Sequence, residues 1–465
     1  VRRPQTRWFR SRTPLVLALA AAVAFRLPAL LHPAETNSDA AVVGLQAMHL
    51  LRGEWSWFLW GSGYQTSIDS AFVALSFGVF GASARSLLLA SLGLHLVLLS
   101  LAWSVLARRL DSIRAALAVF PLVVTSSPLQ TYILYPPRQA SLTIAVAALW
   151  ALDRAADAKR ARAFAAGGAL LALACFADPY ALVLVPPIAA FGLACAIDRA
   201  GARKTIACVA GLAAGGALGA VPLLVLRASA RATPGQLALG LDGLARNGRL
   251  LLEPCLPWTL GARAWKDGGA AGYVPWEGPL PLQALSLAGG TLFLVAIAAG
   301  GACVFVRRLP WETRRLAIAG GLALPVTVAG FLASPMVMDL FSARYLAAIT
   351  LLSPFALAPL AAALSARRFA TLLAPCAAAS AIGGWVGYGP FLRASPQSPS
   401  DEERLEEALA ARGIHLATAD YWTAYRLTFL TRERLIAVPM NRAEDRYPPY
   451  RTAFEREGRV AYVLD

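Results

Sequence analysis

The stretch ETNSDAAVVG, residues 35–44, places two carboxylates, Glu35 and Asp39, directly after the first long apolar run of the chain. Such a carboxylate can do two things. It can cap a helix: Asn37, Ser38 and Asp39 are each favoured N-cap residues, and Val42, Leu45, Met48 and Leu51 then recur at a three-residue step along one helix face. It can also accept the proton of an attacking hydroxyl as a general base. A capping carboxylate at a membrane boundary still faces the mouth of a cavity, so both roles stay open on spacing alone. The polar positions Gln46, His49 and Arg52 fall elsewhere on the same helix, which is expected to lie in the membrane interface. Downstream, GEWSWFLWGSGYQTSIDS carries Trp57, Trp60 and Tyr64, suited to an interfacial belt or to a platform for the apolar faces of sugar rings.

The elements that hold these residues follow from composition. The chain is 57% hydrophobic and only 15% charged, against the roughly 25% of soluble domains; its mean hydropathy is +0.56. Apolar runs of about 18 residues recur along it, each long enough to cross a bilayer as a helix. The alternating ten-residue segments of a β-barrel are absent. The net charge of +16 comes almost wholly from arginines in short loops between apolar runs, the positive-inside pattern. No soluble segment interleaves a basic patch with exposed aromatics, so nucleic acid is not an expected partner. The six cysteines form no CxxC pair and read as small core hydrophobes. The histidines show no metal-ligand spacing, and no P-loop or HExxH is present.

The order of runs predicts an all-α polytopic membrane domain over residues 1–389, with about eleven transmembrane helices. The arginine-rich start, including Arg2, Arg3, Arg7, Arg10 and Arg12, is expected in the cytoplasm, leading into an uncleaved first span at 14–31. A first outer loop fills 32–82 and a second 227–280. The region 115–134 reads as one span broken by Pro121 and Pro128. Arg26, inside the first span, is an intramembrane charge that snorkelling toward the outer end would explain. Asp178 ends a helix before Pro179. GLAAGGALG reads as a close helix contact. Residues 390–465 change character: a linker, a charged helix in DEERLEEALAARGI, then the strand-like RLIAVPM and RVAYVLD. They predict a small extracytoplasmic α/β appendage, too small for a rich core of its own and so expected to dock on the membrane domain.

The order E-x-x-S-D-A-A-V-V-G-L, then F-x-W-G-x-x-Y-x-x-S-I-D, with S-A-R-Y-L at 342–346 and ADYWTAYRLTFLTRERLIAVP in the tail, resembles bacterial integral-membrane glycosyltransferases of the GT-C superfamily. The similarity is greatest to protein O-mannosyltransferases and the lipid A aminoarabinose transferase. The resemblance implies transfer of a sugar from a polyprenyl-phosphate donor to an acceptor hydroxyl on the outer face of the bacterial plasma membrane, with inversion. The acceptor could be a glycan, lipid or protein. Asp39 matches the acidic residue of the first outer loop, the expected base. Relatives often have an adjacent acid where this chain has Ala40; Glu35 and Asp69 are supporting candidates, which leaves a divalent metal open. The departing phosphate needs cations. Arg344 and Arg138 are the first candidates, Arg263 and Lys266 of GARAWKDGG the next; the alternative for each is a snorkelling or solvated cation.

Two other classes fit parts of the pattern. A transporter would use mid-bilayer binding residues on broken helices in two related halves, and the prolines at 121, 128, 186 and 187 are compatible with that. No second half is visible, and the polar residues gather at one face. A non-catalytic scaffold in envelope assembly would tolerate loss of Asp39.

Overall fold

The computed structural model describes residues 12–33, 36–158, 160–197, 201–228, 240–268, 272–389 and 400–464. Seven helices within them are long and apolar enough to cross a membrane: Ala84–Leu106, Pro179–Ile197, Ala202–Leu226, Leu280–Phe305, Trp311–Ala333, Leu340–Ala363 and Ala366–Gly387. Shorter apolar helices at Thr13–Phe25, Ile68–Phe80 and Ala161–Ala177 pack among them. The fold is polytopic and α-helical, as the apolar runs predict.

Local chemistry sets several of the boundaries. Ser83 caps Ala84–Leu106 by accepting from the Ser86 amide at 3.1 Å. The region around Pro121 and Pro128 is not one helix but three pieces, Ser112–Ala118, Phe120–Val123 and Ser127–Leu134. Proline cannot donate to the helix ladder, so carbonyls near such breaks must find other donors. Arg26 supplies them. It is fully buried where the first span breaks between Phe25 and Leu27, and it donates to the carbonyls of Ala22 (2.8 Å), Val123 (2.9 Å) and Leu122 (3.3 Å). Snorkelling is therefore the wrong account of Arg26: it staples two broken helices together inside the bundle.

GLAAGGALG lies in the helix Ala202–Ala228 against Ala161–Ala177. A methyl group on Gly215 would overlap the Ala165 carbonyl, so the backbones touch there and only glycine fits. At one end of the bundle, Asp153 is fully buried and paired with Arg108, Arg109 and Arg315. Asp153 and Arg315 sit near the ends of their helices and Arg108 and Arg109 in the turn after Ala84–Leu106, at the end of the bundle that the positive-inside pattern predicts to be cytoplasmic.

The tail, from Ser400 on, opens with the helix Asp401–Ala410, closed at its start by a Ser400–Glu403 capping box. Strand Leu416–Ala419 pairs in parallel with Ile436–Pro439 on one side and Ala461–Tyr462 on the other. Parallel pairing requires a crossover, and the helix Tyr421–Leu430 provides the first, capped by Asp420. A further helix, Pro448–Arg456, forms between the two strand-like pieces RLIAVPM and RVAYVLD. The tail's own core is built largely from Ala417, Ala419, Ala424 and Ala437 with Leu427 and Leu435. Its larger side chains, Tyr425, Phe429, Val438 and Tyr450, instead join a cluster with the first outer loop.

Candidate active site

The helix predicted after Asp39 spans Ser38–Leu51. Its cap is Asn37, whose side chain accepts from the Ala40 amide at 2.9 Å. Asp39 is thereby released from capping and lies in the first turn with its side chain half exposed. The helix does not lie bare in the membrane interface. It is buried on nearly all sides, between the helices Ile68–Phe80 and Ala84–Leu106 and the tail helix Tyr421–Leu430. Its polar side is filled as carefully as its apolar one. Ser38 donates to the carbonyls of Tyr421 (2.8 Å) and Trp422 (2.6 Å), and Gln46 donates to the Phe58 carbonyl (2.9 Å) and accepts from Ser70 (2.7 Å).

The tail reaches Asp39 itself. The Tyr421 hydroxyl donates to Asp39 Oδ1 at 2.6 Å, and the Arg446 guanidinium lies 3.8 Å from the same oxygen. Burial and the Asp39 charge push the Tyr421 hydroxyl far up, so it stays a donor. Burial would lower Arg446, but Tyr421 and Asp39 outweigh it and hold the guanidinium charged. Asp39 opens into a small cavity of about 60 Å³, whose other walls include Trp60, Tyr64, Gln65, Arg138 and Arg446. A second cavity of about 370 Å³ shares Leu59, Trp60 and Arg446 with it and is otherwise walled by Trp55, Phe58, Tyr447 and Pro448.

The candidate phosphate-binding cations divide between two places. Arg138 reaches the Asp39 cavity. Its Nε lies 3.1 Å from Asp178, which also accepts from Gln65 (2.7 Å) and from the Tyr180 amide (2.8 Å). Asp178 thus does more than end a helix: it fixes the cavity wall. Arg344 does not line this cavity. Its guanidinium lies 4.0 Å over the Phe341 ring and 4.9 Å over that of Tyr345. Phe341 stacks on Tyr273 of the second outer loop; Tyr273 packs at a tilt against Trp258, and Trp258 at a tilt against Trp265, over which Arg263 lies. Arg344 and Arg263 therefore flank one aromatic patch. Lys266 is exposed in the same hairpin, Trp265–Asp267 paired with Tyr273–Pro275.

Asp69 is buried and commits both oxygens to backbone amides, Oδ2 to Arg138 (3.1 Å) and Oδ1 to Ala140 (3.0 Å). It holds the loop that presents Arg138, whose backbone is in the left-handed region at φ 108°. Glu35 lies outside the described residues. Of the aromatic candidates, Tyr64 lines the Asp39 cavity, Trp57 is exposed against the edge of Trp55, and Trp60 is covered on one face by Tyr447 at 4.0 Å. A divalent metal fits this donor set poorly: among the described residues Asp39 is the one carboxylate lining the cavity, and Asp69 and Asp178 are held by other donors. Among the described residues no three His, Cys, Asp or Glu side chains group as metal ligands.

A second polar cluster lies under the larger cavity. His49 Nδ1 meets Glu54 at 2.8 Å and Nε2 meets Glu433 of the tail at 2.6 Å. Glu433 also pairs with Arg52 and accepts from Tyr450 at 2.5 Å. Burial alone would raise Glu433; its bonds with His49, Tyr450 and Arg52 bring it down to about 2. Burial alone would lower His49; Glu433 and Glu54 outweigh that and raise it. Tyr421, Arg446 and Glu433 are site residues to which the sequence reading gives no role, and it names His49 and Arg52 only as polar positions on a helix. The one signal in the tail is the ADYWTAYRLTFLTRERLIAVP motif, which contains Tyr421 and Glu433.

Residues 68–225 match the family model described as dolichyl-phosphate-mannose-protein mannosyltransferase. No curated protein matches the chain in a sequence search. Among solved structures, the chain is similar to ArnT from Cupriavidus metallidurans bound to undecaprenyl phosphate, at 12% identity and a TM-score of 0.57, over 95% of this chain and 88% of that one. The apo state of the same protein matches at 13% identity and a TM-score of 0.54, over 92% and 86%. These likenesses show the fold, a polytopic α-helical architecture shared with ArnT over nearly the whole chain, and the mannosyltransferase family match falls within it over residues 68–225.

Proposed function

We propose that the protein transfers a sugar from a polyprenyl-phosphate donor to an acceptor hydroxyl at the outer face of the membrane, with inversion, and that Asp39 is the base. The observation that carries this reading is the state of Asp39. Its capping duty is taken by Asn37, and its carboxylate is oriented by Tyr421 toward a cavity with cations on its walls. Asp39 takes the proton of the acceptor hydroxyl as its oxygen attacks the anomeric carbon. The bond from that carbon to the phosphate oxygen breaks, and its electron pair leaves on the phosphate. A phosphodiester thereby becomes a monoester with one more negative charge, which a cation at the cavity wall stabilises more in the transition state than in the ground state. Arg138, aimed into the cavity by Asp69 and Asp178, serves that role. Arg344 and Arg263 lie on the separate aromatic patch, which suits the approach of a lipid chain and its headgroup from the bilayer.

Likeness to a protein captured with undecaprenyl phosphate supports the donor class. The test is release of bare polyprenyl phosphate by the purified protein in nanodiscs, supplied with a panel of polyprenyl-phosphate sugars and crude envelope as acceptor. Asp39→Asn keeps the hydrogen bond from Tyr421 and removes the base, so release should fall by about 10²–10⁴-fold. Equal release from both proteins would move the base elsewhere.

A further inference from the structure

We infer that the C-terminal tail is part of the reaction site and that its Arg446 binds the phosphate of the lipid-linked donor, switching to it from Asp39. This rests on the reading of the Asp39 cavity given above.

Three observations converge on Arg446. It is the tail's cation nearest the proposed base, 3.8 Å from Asp39 Oδ1, and it stands where the two cavities meet, lining both. Its position is built. The Arg446 amide donates to the Tyr425 hydroxyl at 2.5 Å, its Nε to the Tyr421 hydroxyl at 3.2 Å, and Nη1 to the Gly61 carbonyl at 3.2 Å. Gly61 has φ 66°, and a Cβ there would come within 2.8 Å of the Arg446 backbone, so the loop turns tightly to admit this residue. Among the described residues its ionic partner is Asp39, and that pairing is weak. A half-exposed carboxylate at 3.8 Å, with no bidentate geometry, gains little, whereas a phosphate accepts the planar guanidinium fork at two oxygens.

The cavity sizes give the switch its direction. With Arg446 and Tyr421 resting on Asp39, about 60 Å³ stays open there, beside about 370 Å³ on the far side of Arg446. A sugar phosphate needs the two joined. Movement of the Arg446 guanidinium onto an incoming phosphate joins them and clears one side of the Asp39 carboxylate, while Tyr421 stays bonded to Oδ1. The phosphate then lies between Arg446 from the tail and Arg138 from the membrane domain. Tyr64, Asp39, Arg138 and Arg446 line the same small cavity, so these charges surround one small volume. When the carbon–oxygen bond breaks, the charge gained by the phosphate appears between two guanidinium groups, and the proton lost by the acceptor goes to Asp39.

The experiment titrates the full-length protein in nanodiscs with undecaprenyl phosphate and, separately, with inorganic phosphate, reading occupancy by native mass spectrometry. Arg446→Gln should bind undecaprenyl phosphate at least about tenfold more weakly than wild type, and Arg446→Lys should fall between, because lysine keeps the charge and loses the fork. Limited proteolysis between membrane domain and tail should be unchanged in Arg446→Gln. Competition by inorganic phosphate would show that the phosphate group alone is bound; its failure to compete would show that the lipid chain must present it, and either supports the site. Unaltered affinity in Arg446→Gln, or no affinity in wild type, would overturn the inference. If Arg446→Gln also frees the tail, His49→Ala, which loosens the tail through another contact, decides. An equal loss of affinity in both would make Arg446 a docking residue and overturn the inference; a smaller loss in His49→Ala would support it. The base assignment is read separately, by turnover of Asp39→Asn, so either claim can fall while the other stands.

Discussion

Asp39 and His49 lie on one helix and meet the same tail through opposite chemistry. At Asp39 the contact is loose, half exposed and suited to exchange. At His49 it is buried and ionic, faced by Glu54, Glu433, Tyr447, Tyr450 and Trp60, with Arg52 on the other side of Glu433. The linkage signs follow from the shifts. His49 is raised, so its contribution to docking is full below its unfolded value of about 6.5 and is lost as pH rises through the folded value. Glu433 is lowered to about 2, so its contribution is full above its unfolded value of about 4.3 and is lost as pH falls toward 2. Docking should thus be strongest between about pH 4.3 and 6.5. Thermal midpoints measured across pH 4–9 should decline on the alkaline side in wild type, and His49→Gln should flatten that decline. A wild-type profile flat through pH 8 would show that the imidazole is not charged in the docked state. At this scale the sequence singles out Asp39 but not the residues that meet it. Tyr421 and Arg446 are 382 and 407 positions away, and only the folded tail brings them close. His49 invites dismissal because its spacing fits no metal site, yet its role is ionic docking.

Elements are where the pairing of loop and tail is decided. The helix Ser38–Leu51 and the helix Tyr421–Leu430 meet at Gly44, where an added Cβ would lie 2.5 Å from the Phe429 ring and 2.9 Å from Leu87. A branched side chain at this point must push the tail helix away or distort both. Gly44→Val should therefore cost about 1–3 kcal/mol, the usual range for overpacking. Limited proteolysis should then cut faster between membrane domain and tail; cleavage at the wild-type rate would mean that the helices have slack there. The three-residue apolar step predicted this helix, and Val42, Leu45 and Met48 are buried, while Leu51 at its end is exposed. It mispredicted the surroundings, since Gln46 and His49 are buried too, against polar partners that a hydropathy pattern does not register. The broken region 112–134 is the converse case. Its prolines announce the break, but nothing local announces that Arg26 supplies the missing donors.

For the molecule as a whole, charge gives a direction. The buried Asp153 with Arg108, Arg109 and Arg315 marks one end of the bundle, and the Asp39 cavity lies toward the tail at the other helix ends. The positive-inside pattern predicts the arginine end in the cytoplasm and the tail outside. In a cysteine-free background, a membrane-impermeant maleimide should label Ser400→Cys in intact spheroplasts, and Arg307→Cys only after permeabilisation. The reverse would invert the topology and place the site where nucleotide sugars are available. The polytopic helical layout was legible from the apolar runs, although among the described residues seven helices are long and apolar enough to span, with three shorter ones, where about eleven spans are expected. The tail's docking was legible only as a deficit, a segment too small for its own core. Its large side chains complete that core by joining the first outer loop.

The central claim is that the sugar is transferred at the cavity shared by the first outer loop and the tail. The most direct measurement is photocrosslinking with a polyprenyl phosphate analogue carrying its reactive group next to the phosphate, followed by peptide mapping of the full-length protein in nanodiscs. The account predicts adducts in peptides containing Trp60–Gln65, Arg138 and Tyr421–Arg446. Adducts confined to the aromatic patch around Tyr273, Phe341 and Arg344, with none near Asp39, would contradict it.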